Sequence, residues 1–193
     1  MAEPASRSSA AVSPAASPSG PERVRLGCRR AATAGEIAAH FLIRHEVFVA
    51  EQGLFAGQDR DAHDEDPATI HVVGIADGVV CGTVRLYPLS RIPGRWKGDR
   101  LAVLPGYRHH GLAAPLVRFA VGWAAAQGGQ LMEAFIQPPN VSFFERLGWH
   151  RVGQLVEYAG IPHQRMLIAL SAGLPAPGRP RVRSQPARKT SGS

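Results

Sequence analysis

The feature that most narrows the folds open to this chain is the order strand, helix, strand between Asp99 and Gln137. "DRLAVL" (Asp99 to Leu104) reads as a strand. Behind it Leu112, Leu116, Phe119, Ala120, Trp123 and Ala124 recur at helical spacing, and Gly128-Gly129 supplies the stop. "LMEAFIQ" (Leu131 to Gln137) reads as a second strand, ended by Pro138-Pro139. Two strands of one sheet joined through a helix lie parallel, with a right-handed crossover. The sheet is therefore parallel or mixed, and the class is α/β (α+β).

The remaining segments fit around that unit. "RVRLGC" (Arg23 to Cys28) alternates polar and apolar residues and reads as a first strand. Thr33 and Glu36 form a capping-box pattern, in which a hydroxyl and a carboxylate each take one orphan N–H. Ile37, Phe41, Leu42, His45, Phe48 and Val49 then mark one face of a helix running to about Ala50. An acidic loop, "GLFAGQDRDAHDEDPAT", spans Gly53 to Thr69. Ile70 to Leu89 is a hairpin about Asp77-Gly78, where glycine takes the positive φ of a tight turn. "SRIPGRWKG" (Ser90 to Gly98) reads as a loop. Asn140 is placed to cap a short helix through Leu147, with Gly148 at its end. Trp149 to Leu170 forms two strands joined through Ala159-Gly160.

Composition sets the limits of the domain. Residues 1–22 are mostly Ala, Ser and Pro, and 172–193 are of similar character, so neither buries enough to offset ordering entropy. Both are expected to be disordered tails around one domain at 23–171. Arg179, Arg181, Arg183, Arg188 and Lys189 supply five of the formal net charge of +7. The basic excess thus describes a tail and not a nucleic-acid groove. Two cysteines, Cys28 and Cys81, are too few for a disulfide framework, and reduced thiols in a cytoplasmic protein are the simplest reading. No apolar run approaches the roughly 18 residues of a membrane helix. The N-terminal segment lacks the continuous apolar stretch of a secretion signal. A strand exposed after Glu157 would permit a homodimer.

The junction "LPGYRHHGLA" (Leu104 to Ala113) carries the chemistry. A helix start exposes unpaired N–H groups and positive partial charge, and so receives anions. Gly111 lets a phosphate approach the backbone, and Arg108, His109 and His110 add donors beside it. The Gly-Lys-Ser/Thr of a P-loop and the G-x-G-x-x-G of a dinucleotide site are both absent.

"RHHGLA" fits the Q/R-x-x-G-x-G/A pattern of the GNAT acyltransferases, with Arg108, Gly111 and Ala113 at the pattern positions. "LAVLPGY" resembles that family's preceding strand, and "NVSFFERLGW" (Asn140 to Trp149) resembles its following motif. "FLIRHEVFVAEQG" (Phe41 to Gly53) and "AGIPHQRM" (Ala159 to Met166) are similar to ElaA-like members, a branch that includes acetyltransferases encoded near nitrilases. The resemblance covers about 24 to 170. It implies a mixed, V-splayed sheet flanked by helices, with acetyl-CoA entering the split. Leu101, Ala102 and Val103 would pair with pantetheine. Arg108, His109, His110, Gly111, Leu112 and Ala113 would hold the diphosphate, and Asn140, Phe143 and Phe144 would flank the cofactor.

The implied reaction is direct attack of a small-molecule amine on the acetyl thioester, without a metal. The amine must lose a proton, since an ammonium of the lysine kind has a pKa of about 10.4. The oxyanion needs a donor, expected from the backbone at Ala102 or Val103. The thiolate needs a proton. Many family members place a tyrosine where this chain has Phe144, which has no proton to give. Tyr158 or His163 is then the candidate acid, with unassisted departure of the thiolate as the alternative. Glu133 and, through a water, His71 are candidate bases, against the alternative that each is a pairing or solvent-facing residue. Arg44, Glu51 and Gln52 are candidate acceptor-binding residues, with the competing reading that Arg44 fastens the acidic loop. His45-Glu46 opens an H-E-x-x-H zinc motif whose second histidine position is Val49, and His109-His110 are not spaced to share a metal. Two other readings stand beside this one. One is an acyltransferase resembling acyl-homoserine-lactone synthases, and the other is a CoA-binding module without turnover.

Overall fold

The structure is a computed structural model of the chain, and it describes residues 24–158 and 160–171. The two expected tails and Arg23 lie outside the described residues.

Seven strands form one sheet in the order β1-β2-β3-β4-β5-β7-β6. They are β1 (Leu26–Arg30), β2 (Ile70–Ala76), β3 (Val79–Pro88), β4 (Arg95–Val103), β5 (Leu131–Ile136), β6 (His150–Tyr158) and β7 (Ile161–Ala169). All pairings are antiparallel except that of β4 with β5. That parallel pair joins Arg95, Trp96 and Lys97 to Leu131, Met132 and Glu133 and goes no further. The helices are α1 (Ala34–Arg44), α2 (Ala113–Ala126) and α3 (Val141–Arg146). The mixed, splayed sheet expected from the sequence is present.

The starts of α1 and α2 are built differently. Thr33 and Glu36 form the full capping box on α1, and Arg29 fixes the Glu36 carboxylate from β1. At α2 the cap position is Leu112, which has no side-chain oxygen to offer. An uncapped start costs about 1 kcal/mol. Leu112 and Leu116 are wholly buried, and each contributes about 1.5–3 kcal/mol, so packing outweighs the missing cap. They reach the sheet because Gly74 and Gly82 lie beneath them. A Cβ on Gly82 would stand 2.9 Å from Leu116 and 3.0 Å from Leu112. These two glycines set the depth at which the helix start sits.

Four local expectations are corrected. The helix from Ala34 continues as a wider π-helical segment, His45–Glu51, and its buried face is His40, Ile43, Arg44, Val47 and Phe48. Leu42 and His45 point to solvent. The stripe is regular, but two of its members are polar, so apolar residues alone misplace it. β4 begins at Arg95, inside the segment expected as a loop, because Trp96 turns into the core while Lys97 faces the other way. Residues 105–110 form a 3-10 turn before α2, not its first turn. Asn140 ends a second 3-10 turn and makes no side-chain cap on α3.

Apolar side chains gather on both faces of the sheet. The larger cluster includes Val72, Leu86, Leu116, Phe119, Met132, Phe144 and Met166 beneath α2 and α3. The smaller one joins Ile43, Val47 and Phe48 to Ala102.

Candidate active site

Past Lys97 and Glu133 the two central strands separate, and a cavity of about 150 Å³ opens between them. Strand alternation divides its walls. Met132, Ala134 and Ile136 line it on the α2 side, together with Val117, Ala120, Phe144 and Trp149. Lys97, Asp99, Phe135, Tyr158 and His163 line the opposite side, which is polar. The split is therefore a passage from one face of the sheet to the other.

A bulge shapes the β4 wall. The β3–β4 register shifts between Thr83 and Arg85, and Arg100 takes a positive φ of 53°. The Thr83 hydroxyl holds the Arg100 carbonyl at 3.0 Å. Leu101 then lines the passage, while Ala102 and Val103 are buried at the strand's end. Such a bulge re-aims the backbone where a sheet edge must meet a ligand.

Beyond one end of the cavity, past Leu101 to Val103 of β4, comes the uncapped start of α2, whose first residues, Leu112 to Ala114, lie outside the cavity lining. Gly111 has a φ of 75° and open space where a Cβ would stand. The amides of Leu112, Ala113 and Ala114 belong to the first turn and have no intrahelical acceptor, while Pro115 has no N–H at all. Arg108, His109 and His110 precede them, and the two imidazole rings lie 3.8 Å apart. They lie side by side in the 3-10 turn, not splayed as an α-helix would place them. Arg108 donates to the Val103 carbonyl at 3.0 Å and grips Glu51 with both terminal nitrogens, Nη1 at 2.8 Å. The sequence reading assigned Arg108 to the cofactor and Glu51 to the acceptor, whereas the fold makes them one pair at one mouth. The neighbouring guanidinium holds the Glu51 carboxyl below the usual carboxylate range.

The other end is walled by a buried ionic lattice. Arg44, Arg85 and Arg100 interlock with Asp59, Asp61, Asp64 and Asp99. Arg44 is wholly buried, and its contacts to Asp59, Asp64 and His40 use all five of its N–H groups. It has no donor left for an acceptor substrate, and the competing reading of Arg44 as the fastener of the acidic loop is what the geometry shows. Arg85 grips Asp61 and Asp99 at 2.7–2.8 Å. Burial alone would pull its pKa down, but its hydrogen bonds to Asp99 and Asp61 outweigh burial and raise it. The same contest runs at Asp64, where the Arg44 contact overcomes burial and holds the carboxyl well below its ordinary range. The lattice sets Leu54 and Phe55 of the loop against the passage, with Arg100 stacked over the Phe55 ring at 4.9 Å.

Two candidate bases are placed unfavourably. Glu133 lies at the apex of the split, outside the cavity lining, where Arg165 binds its Oε2 at 2.6 Å. His71 stands beneath α1, with its Nδ1 3.3 Å from His40 Nε2, also outside the lining. Tyr158 does line the passage and receives a hydrogen bond from Arg100 at 3.3 Å. Gln52 lines it too and accepts from Gln137 at 3.2 Å. Asn140 and Phe144 flank the α2 side, while Phe143 packs behind Phe144 with ring centroids 5.3 Å apart. The residue that sequence reasoning ranked too low is His163. It lines the passage and is only 5% exposed. Its signal was the "IPH" following the last turn.

The profile of the Acetyltransferase (GNAT) family matches residues 36–149, which span the split, the α2 start and α3. This chain belongs to the GNAT family. The uncharacterized N-acetyltransferase YjcF of Bacillus subtilis is 33% identical over 132 residues, covering 66% of this chain and 88% of that protein. An acyl-homoserine-lactone synthase of Ralstonia nicotianae is 27% identical over 141 residues, covering 57% of this chain and 68% of that one. Among solved structures, an acyl-CoA N-acyltransferase of Pseudomonas aeruginosa superposes with a TM-score of 0.64 at 25% identity, covering 75% of this chain and 98% of its own. Escherichia coli ElaA superposes with a TM-score of 0.65 at 18% identity, with coverage of 75% and 98%. The chain is thus an acyltransferase of the GNAT type, a family that takes CoA-linked acyl donors. Among the described residues no helix is long and apolar enough to cross a membrane.

Proposed function

We propose that this GNAT chain moves an acetyl group from acetyl-CoA to the amine of a small molecule by direct attack inside the split. The observation that carries this reading is a passage open to both faces of the sheet, with the uncapped start of α2 beyond its β4 wall. The diphosphate of the donor rests on the amides of Leu112 to Ala114, with Gly111 leaving room for its approach and Arg108, His109 and His110 beside it. The pantetheine runs along Leu101 to Val103, and a backbone N–H there polarises the thioester carbonyl. Asn140, Phe143 and Phe144 close the other wall. The acceptor enters from the polar face, past Gln52.

Tyr158 is the acid that the Phe144 position does not supply. A guanidinium can only donate, so in the 3.3 Å contact the phenol oxygen accepts from Arg100. The phenolic proton is left free for the departing sulfur.

Calorimetric titration of acetyl-CoA into the wild type and Gly111→Glu tests the donor site. The expected result is binding to the wild type and at least tenfold weaker binding to the variant, which puts a carboxylate where a diphosphate would lie. Failure of a folded wild type to bind overturns the reading. A second reading is favoured by the synthase relative from Ralstonia nicotianae. Its prediction is a preference for acyl chains longer than acetyl, so a comparison of two-, six- and eight-carbon acyl-CoAs decides between them. Turnover of any amine excludes a binding module without catalysis.

A further inference from the structure

We infer that His163 is the general base of this site, taking the acceptor amine's proton on Nε2. The inference rests on the acyl-transfer reading above.

Five ionisable side chains line the passage: Lys97, Asp99 and Arg100 on β4, Tyr158 on β6, and His163 on β7. A base needs a lone pair not already committed. Arg100 has none, and its N–H groups go to Asp59, Asp61 and Tyr158. Asp99 has lone pairs to spare, but both its oxygens are tied to Arg85 at 2.8 Å and its charge is already engaged in that ion pair. Lys97 sets its ammonium over the Phe135 ring at 5.2 Å. Tyr158 has a proton to give, for the reason stated above. His163 differs from all four. Its Nδ1 stands 3.0 Å from the Ile161 carbonyl. A carbonyl oxygen only accepts, so Nδ1 carries the hydrogen, and in the neutral ring the lone pair is on Nε2.

Sheet register places this ring on the acceptor side. Phe135 pairs with Arg165 and Ile136 with Gln164, so His163 projects from the same face as Phe135, Lys97 and Asp99. The Tyr158 ring meets it edge-on, with centroids 5.4 Å apart, and limits its rotation. One hairpin, β6 and β7, therefore carries a donor and an acceptor side by side. In the step itself the amine nitrogen bonds to the thioester carbonyl carbon and the carbon–sulfur bond breaks. The ammonium first gives a proton to His163 Nε2, which frees the attacking lone pair; after attack the second N–H proton leaves to water, and the sulfur takes the Tyr158 proton. Water then reprotonates Tyr158 and discharges the imidazolium.

The test uses the full chain with acetyl-CoA and whichever of propylamine, phenethylamine and lysine methyl ester the wild type acetylates fastest. His163→Gln and His163→Ala are expected to lose about a hundredfold in kcat. Their calorimetric affinity for acetyl-CoA should match the wild type, which also shows that they fold. The acid limb of the kcat/KM profile should flatten, and added imidazole should restore part of the His163→Ala rate. In the wild type, 15N NMR should show the Nδ1–H tautomer. A His163→Gln enzyme within threefold of wild type, or a wild-type Nε2–H tautomer, overturns the assignment and leaves the acyl-transfer reading standing. A wild type that acetylates none of the amines overturns both.

Discussion

Arg85 and Arg108 are each gripped by carboxylates in two-pronged contacts, yet they serve the molecule in opposite ways. Arg85 is wholly buried among Asp61, Asp64 and Asp99, whereas Arg108 and its partner Glu51 both face water. In the interior a guanidinium without partners is intolerable, so its contacts are obligatory. At the surface water replaces a lost partner, and an exposed pair contributes only about 0–1 kcal/mol. The first arginine holds the fold together, and the second is free to change partners. Under the proposed function, a diphosphate at the α2 start would compete with Glu51 for Arg108.

The largest effect that would break this contrast is at the buried end. Arg85→Met leaves three carboxylates without their shared cation, and chemical denaturation should show a loss of about 3–5 kcal/mol. A loss below 1 kcal/mol would mean that the two arginines are alike after all. Acid probes the same region more gradually. Burial, then the charges of His71 and Arg44, push the His40 pKa down to about 3. The unfolded chain binds that proton near the ordinary histidine pKa of about 6.5, so acid favours unfolding across that window. Stability should fall by up to ~1.4 kcal/mol for each pH unit lowered between those values. The depressed Asp64 carboxyl adds to the loss below the ordinary aspartate pKa of about 3.9. Thermal melts from pH 7 to pH 4 check the slope, and His40→Gln should flatten it. The smallest effect is at the exposed end. Glu51→Gln releases Arg108 and should tighten acetyl-CoA binding by up to about fivefold, with melting unchanged. Weaker binding in that variant would show that Glu51 positions Arg108 instead of competing for it.

The same contrast explains what could be read from the sequence. The capping box at Thr33, the Asp77-Gly78 turn, the strand–helix–strand unit and the "RHHGLA" start of α2 are local patterns, and local chemistry specifies them. The buried stripe of α1 was misplaced because His40 and Arg44 count as polar in a sequence, and only partners distant along the chain let them go inside. β4 was shortened at Arg95 to Gly98, since charge and glycine mask a strand whose neighbour in the sheet is far along the chain. The pairings of Arg44 with Asp59 and Asp64, and of Arg108 with Glu51, depend on the loop's path. The placement of His163 depends on the register of β5 against β7, which no local pattern encodes.

Three rungs join β4 to β5, whereas six join β5 to β7. In mechanical terms the sheet is two leaves on a short hinge at Arg95 to Lys97. Rotation about that hinge changes the gap without breaking any other ladder. The gap is thus governed by an angle rather than by the length of any side chain. Under the proposed function, a bulkier acyl group and a bulkier amine would draw on the same degree of freedom, and whichever is seated first would fix the aperture left for the other.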